Sequence, residues 1–181
     1  MALRFRKHIR LPDHDYMGGA YFVTLCTRSR LQVFGRIVGT GDTARMELTD
    51  VGRIVDECWR AIPDHFTHAR LDEMQIMPDH LHAILVLDRR PASGTVGATP
   101  WVAATDALYV NGSRSNGPQP GSLGAIIAAF KSETTKRANR LNVTMGLRLW
   151  QPNYYERVIR EHGGEYGRIA RYIEENPQNW F

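Results

Sequence analysis

Hydrophobic and polar positions recur along this chain with two different periods, and the switches between them outline its elements. Ala20-Tyr21-Phe22-Val23-Thr24-Leu25-Cys26-Thr27 is rich in β-branched and aromatic residues and predicts a strand. Gln32 to Val38 predicts a second strand or hairpin arm, closed by a turn at Gly39-Thr40-Gly41-Asp42. Val51, Ile54, Val55, Cys58, Trp59 and Ile62 then follow at helical spacing, with Thr49 as N-cap and Pro63 as the stop. Leu71 to Met77 alternates as a strand, Pro78-Asp79 punctuates it, and His80 to Leu87 is a nearly continuous apolar strand. Antiparallel pairing through that tight turn is the natural arrangement. Ser122 caps a second helix whose apolar stripe is Leu123, Ile126, Ile127, Phe130, Thr134, Ala138 and Leu141. Leu149 to Gln151 and Tyr154 to Ile159 predict further strand, with Pro152 at a bend. Gly163-Gly164 opens a final helix over 165–176, stopped by Pro177, with Tyr166, Ile169, Ala170 and Ile173 on its buried side.

This order of elements predicts an α+β fold in which helices cover an antiparallel sheet. The length of 181 residues suits one well-cored domain spanning 1–181. The stretch 89–121 breaks the pattern: its Gly, Ser, Asn and Pro content predicts a flexible loop. Trp101 and Tyr109 within it suit either base stacking or anchorage on the body.

Composition narrows the class. Hydrophobic residues at 43% and charged residues at 23% are ordinary for a globular protein, and no stretch reaches transmembrane length, so no membrane partner is expected. Two cysteines, Cys26 and Cys58, are too few and too far apart for a disulfide framework, which predicts a reduced, cytoplasmic setting. Net charge is only +4, but it is uneven. Arg4, Arg6, Lys7, Arg10, Arg28 and Arg30 crowd one end of the chain. Lys131, Lys136, Arg137 and Arg140 crowd a second segment. Two cationic segments on a mildly acidic remainder suggest an elongated polyanion as partner.

The candidate chemistry begins at Met77-Pro78-Asp79-His80-Leu81-His82. On a strand, side chains at i and i+2 leave the same face about 7 Å apart, so His80 and His82 can converge on one metal ion while Leu81 packs behind them. In the final helix, Tyr172 and Asn176 are four apart and share a face. That face would present a phenol nucleophile and an amide oxygen together. Tyr154 and Tyr155 are rivals for the nucleophile, although a strand would let only one face the site.

Further motifs accompany these: Gly121-Ser122-Leu123-Gly124, Phe130-Lys131-Ser132, Trp150-Gln151-Pro152-Asn153-Tyr154-Tyr155-Glu156 and Arg171-Tyr172-Ile173-Glu174-Glu175-Asn176-Pro177. With the Arg10-Leu11-Pro12 opening and the Gly19-to-Thr24 strand, they resemble the single-tyrosine HUH transposases, most closely the REP-associated tyrosine transposases of bacteria. The resemblance covers nearly the whole chain outside 89–121. It implies a ferredoxin-like antiparallel sheet with helices packed on it, the HUH endonuclease fold. It also implies His80 and His82 as the metal pair, Asn176 as the polar ligand one turn beyond, and Tyr172 as nucleophile. The implied reaction is cleavage and rejoining of single-stranded DNA beside REP-like hairpins through a 5′-phosphotyrosine, with nucleoid association when DNA is bound. The alternative is a hairpin-binding protein that does not cleave.

The residue types suit that chemistry. A tyrosine hydroxyl with a pKa near 10 is a poor nucleophile unaided. A divalent cation on the scissile phosphate supplies Lewis acidity. Two imidazoles and one amide leave positions open for phosphate oxygens and water, which suits Mg²⁺ or Mn²⁺. Conserving bond energy in a phosphotyrosine needs no nucleotide triphosphate, consistent with the lack of a Gly-x-x-x-x-Gly-Lys motif. The basic residues would hold the hairpin by its phosphates. Monomer and homodimer are both compatible with the sequence.

Overall fold

The computed structural model describes residues 14, 16–89, 118–141, 146, 148–160 and 163–180. The candidates Arg4, Arg6, Lys7 and Arg10, and the aromatics Trp101 and Tyr109, lie outside them.

Among the described residues, six strands and four helices follow one another along the chain. They are β1 (Gly19–Cys26), β2 (Gly35–Val38), β3 (Arg45–Leu48), α1 (Asp50–Arg60), α2 (Ile62–His65), β4 (Ala69–Met77), β5 (His80–Leu87), α3 (Leu123–Arg140), β6 (Tyr155–Ile159) and α4 (Glu165–Glu174). Four strands form the main sheet in the order β4-β5-β1-β6, every neighbouring pair antiparallel. The chain passes from β1 through α1 to β4, and from β5 through α3 to β6, which is the split βαββαβ arrangement of ferredoxin-like folds. The expectation of an α+β, ferredoxin-like antiparallel sheet holds.

The period-2 pattern sorts residues cleanly between the two faces. Tyr21, Val23 and Leu25 of β1 and Leu81, Ala83 and Leu85 of β5 pack with α1 and α3 in the larger core. Ile84 and Ile159, with Ala20, Phe22 and Val86 at the margin, face the other way onto Ile173, Tyr166, Ile169 and Ala170 of α4. His80 and His82 share that second face by parity. The sheet therefore carries its covering helices on one side and α4 on the other.

Four expectations shift in detail. The segment 32–38 is strand only from Gly35, and its partner is β3, unanticipated from the pattern, in a separate two-stranded sheet. Pro63 does not end the helical path outright, because it sits in the first turn of α2, where its missing N–H costs nothing. Trp150 makes one isolated bridge to Thr27 instead of a strand. The last helix ends at Glu174, and Pro177 lies inside a following 3-10 turn, Asn176–Asn179. Asn176 is thus beyond the α-helix and not on its last turn.

Candidate metal and nucleophile site

The tight connection from β4 to β5 is held from outside. The Pro78 carbonyl accepts from the Phe34 N–H at 3.1 Å, and the Asp79 carbonyl accepts from the Thr27 N–H at 2.9 Å and the Thr27 hydroxyl at 3.0 Å. A turn fixed at both carbonyls sets where the next residue begins, and that residue is His80. Asp79 itself is 4% exposed, and its carboxylate reaches His80 Nδ1 at 2.6 Å and the Arg30 guanidinium at 2.7 Å. Ser29 and Arg30 both take left-handed backbone, with φ of 57°, in the bend that swings the Arg30 side chain back across this turn.

The tautomers follow by elimination. A carboxylate only accepts, so His80 carries its proton on Nδ1 and offers a lone pair at Nε2. His80 Nε2 lies 3.0 Å from His82 Nε2, and His82 Nδ1 lies 2.8 Å from the Thr24 hydroxyl. With Nε2 of His80 accepting, His82 donates from its own Nε2 and the Thr24 hydroxyl donates to its Nδ1. A hydroxyl both donates and accepts, so the Thr24 oxygen can equally accept from an Nδ1–H of His82, which frees the second Nε2.

Both imidazoles are held neutral. Burial pushes His82 down to about 3, and the His80 and Arg30 charges push the same way. Burial also lowers His80, outweighing the raising effect of the Asp79 bond and charge. Neutral imidazole is the ligating form, and an imidazole backed by a carboxylate is the usual second layer of a metal site. Two nitrogens 3.0 Å apart can both reach one ion at a metal–nitrogen distance of about 2.1 Å. Among the described residues, no third His, Cys, Asp or Glu joins them. The donor set is therefore two nitrogens plus whatever a neutral side chain, water or substrate supplies.

Aromatic rings wall the pair. The Tyr172 ring is 5.4 Å from His82 and 6.1 Å from Phe22, and Phe22 stacks on His82 at 5.4 Å. Trp180 tilts against His80 at 5.8 Å. Tyr172 is 51% exposed, so its hydroxyl is open to a macromolecular substrate. The structure brings Tyr172, His80 and His82 together. Asn176 sits half-buried in the turn after α4, four residues beyond Tyr172. Of the rivals, Tyr155 does face the α4 side, edge-on to Phe22 at 6.1 Å. Tyr154 packs into the opposite core beneath the Lys131 ammonium.

Comparison with known proteins bears on the fold. No protein-family model matches the chain. An uncharacterized protein of Haemophilus influenzae is 33% identical over 183 residues, covering 99% of this chain and 92% of that protein. The chain belongs to that protein's family. A solved REP-associated tyrosine transposase bound to a REP hairpin superposes on 98% of this chain and 74% of its own, with a TM-score of 0.56 and 17% identity. The chain has that transposase's fold.

The basic candidates divide by position. Arg30 is part of the histidine site through Asp79, and Arg28 is exposed beside it. Lys131, Lys136, Arg137 and Arg140 ride on α3, across the sheet from α4. The Lys131 ammonium is spent on the carbonyls of Gln151 and Asn153 at 2.9 and 3.2 Å, and burial pushes it down to about 8. Arg137 is paired with Glu57 at 2.6 Å and contacts the Cys58 thiol. Lys136 and Arg140 are exposed. Asp79, Thr24 and Trp180 escaped the sequence reading. Asp79 was visible only as a turn residue, Thr24 as one more strand threonine, and Trp180 as a chain-end aromatic.

Proposed function

We propose that this chain is a transposase-type enzyme that cleaves and rejoins single-stranded DNA beside a REP-like hairpin, with Tyr172 as nucleophile and a divalent cation, Mg²⁺ or Mn²⁺, on His80 and His82. The observation that carries the reading is the meeting of an exposed tyrosine with two neutral, converging imidazoles on one face of the sheet. The hairpin-bound transposase of the same fold supports hairpin DNA as the substrate class. Asn176 would complete the protein ligands with its amide oxygen. No helix among the described residues is long and apolar enough to cross a membrane.

In this reading the Tyr172 hydroxyl gives up its proton as its oxygen attacks the scissile phosphorus, and the P–O3′ bond breaks. The phosphate is left on Tyr172, and the leaving 3′ oxygen takes up a proton. The cation, when bound, supplies Lewis-acid polarisation of the phosphate. Asp79 keeps the His80 proton on Nδ1, Thr24 orients His82, and Phe22 holds the Tyr172 ring by its edge. Attack by the 3′ hydroxyl on the phosphotyrosine reverses the step, so rejoining needs no external energy source.

The test is incubation with end-labelled hairpin oligonucleotides and Mn²⁺, followed by a denaturing gel. A label retained on protein supports the reading. Tight hairpin binding with no cleavage would favour the non-cleaving alternative. Cleavage without a protein adduct would assign attack to water.

A further inference from the structure

The Arg30 guanidinium is locked beside the histidine pair from two sides. Its Nε donates to Asp79 Oδ2 at 2.7 Å, and its Nη1 donates to the Cys26 sulfur at 2.9 Å. Asp79 gives its other oxygen to His80, and Cys26 is the cross-strand partner of His80 on β1. Opposed residues of an antiparallel pair point to the same face, so the thiol and the guanidinium it holds border the His80 ring on the site side of the sheet. The Arg30 charge is felt at both imidazoles, where it pushes the same way as burial.

Neutralising Asp79 does not by itself explain this arrangement. A buried carboxylate needs one cation against it, and a lysine ammonium would serve. Here two neighbours anchor the planar fork at Nε and Nη1, while Nη2 has no partner among the described residues. The Arg30 side chain is 48% exposed, whereas that of Asp79 is 6% exposed. The backbone also takes two consecutive left-handed residues, Ser29 and Arg30, neither of them glycine, to bring the side chain there. Backbone of that kind persists where its surroundings over-determine it, and it gathers at functional sites. A guanidinium with two donors anchored and a third presented to solvent is suited to a phosphate oxygen.

We infer that Arg30 is a catalytic arginine whose Nη2 donates to a non-bridging oxygen of the scissile phosphate, aimed there by Asp79 and Cys26. The inference rests on the nicking reading above and adds a second positive centre beside the cation. Attack by Tyr172 gathers negative charge on the non-bridging oxygens, and a guanidinium already fixed at the site meets that charge without rearrangement. Arg30 transfers no proton and forms no covalent bond. It stabilises the transition state in both the cleaving and the rejoining direction.

The test is the single-turnover rate of adduct formation by the full chain at saturating hairpin oligonucleotide and Mn²⁺, with Mn²⁺ affinity measured separately by calorimetry. Arg30→Lys keeps a cation against Asp79 but loses the fork. It is expected to slow the step by about 100-fold or more, while Mn²⁺ and hairpin affinities stay within about three-fold of wild type. Free guanidinium ion, at a concentration that leaves the circular dichroism spectrum unchanged, should speed Arg30→Ala and not wild type. An Arg30→Lys rate equal to wild type reduces Arg30 to a counter-charge for Asp79 and overturns the inference, leaving the enzyme reading intact. A loss that excess Mn²⁺ restores also overturns it, because the effect would then run through the cation. Wild type that forms no adduct rejects the nicking reading itself, and the arginine role with it.

Discussion

The Tyr172 ring stands 5.4 Å from the His82 imidazole at an interplanar angle of 62°, on an element that follows His82 only after α3 and β6 have been laid down. Two features make that meeting possible. Parity on β5 turns His82 to the side away from the larger core, and Ile173 anchors α4 on that same side, leaving its neighbour Tyr172 on the exposed flank.

The Asp79 carboxylate sets the orientation of His80, so its loss is felt at the cation. Asp79→Asn keeps the shape of the turn but removes the charge and the pairing with Arg30. Mn²⁺ affinity, measured by calorimetry, is expected to fall about 10- to 100-fold with the circular dichroism spectrum unchanged. Unaltered affinity would remove Asp79 from the site.

Thr24 is the corresponding partner of His82. Thr24→Val deletes the hydroxyl at nearly constant volume and is expected to weaken Mn²⁺ binding, whereas Thr24→Ser restores it. A valine variant that binds Mn²⁺ as tightly as wild type would remove the Thr24 hydroxyl from the site.

Stability of the metal-free protein responds to acid in a defined direction. Folded His82 titrates at about 3, whereas an unfolded imidazole titrates near 6.5. Between those values the unfolded chain holds the extra proton. Stability is therefore fully present above about pH 6.5 and declines as pH falls, by up to about 1.4 kcal/mol per pH unit for this group. In chelator, urea midpoints from about pH 7 to about pH 5 should fall more steeply for wild type than for His82→Gln. Parallel slopes would contradict the burial argument.

One structural glycine has no substitute. In α1, a Cβ on Gly52 would sit 2.1 Å from the Phe34 carbonyl oxygen, which already accepts from the Thr49 N–H. Gly52→Ala is expected to lower stability by more than about 2 kcal/mol in denaturant unfolding. A near-neutral result would mean the β2 approach to α1 gives way easily.

Much of this was legible in the chain itself. The parity of β5 and the stripe Tyr166, Ile169, Ala170 and Ile173 are period-2 and period-3.6 patterns, and each placed its residues on the observed face. The N-caps Thr49 and Ser122 were legible for the same local reason, each accepting a backbone N–H three residues on. What was not legible depends on contacts between distant segments. β3 is only four residues long and alternates charged with half-buried positions, so it becomes a strand by pairing with β2. The carboxylate at Asp79 looks like turn chemistry until the fold sets it against His80 and Arg30. The charge count on α3 could not reveal that Lys131 and Arg137 are engaged within the fold.

The central claim is that Tyr172 takes the phosphate. The Tyr172 side chain touches Phe22 and His82 through its ring, so Tyr172→Phe keeps the packing and removes only the hydroxyl. With hairpin oligonucleotide and Mn²⁺, wild type and Tyr155→Phe should each give a covalent protein–DNA adduct whose peptide map places the nucleotide on residue 172. Tyr172→Phe should give none while binding the hairpin as tightly as wild type. An adduct persisting in Tyr172→Phe, or mapping to Tyr155, would contradict the account.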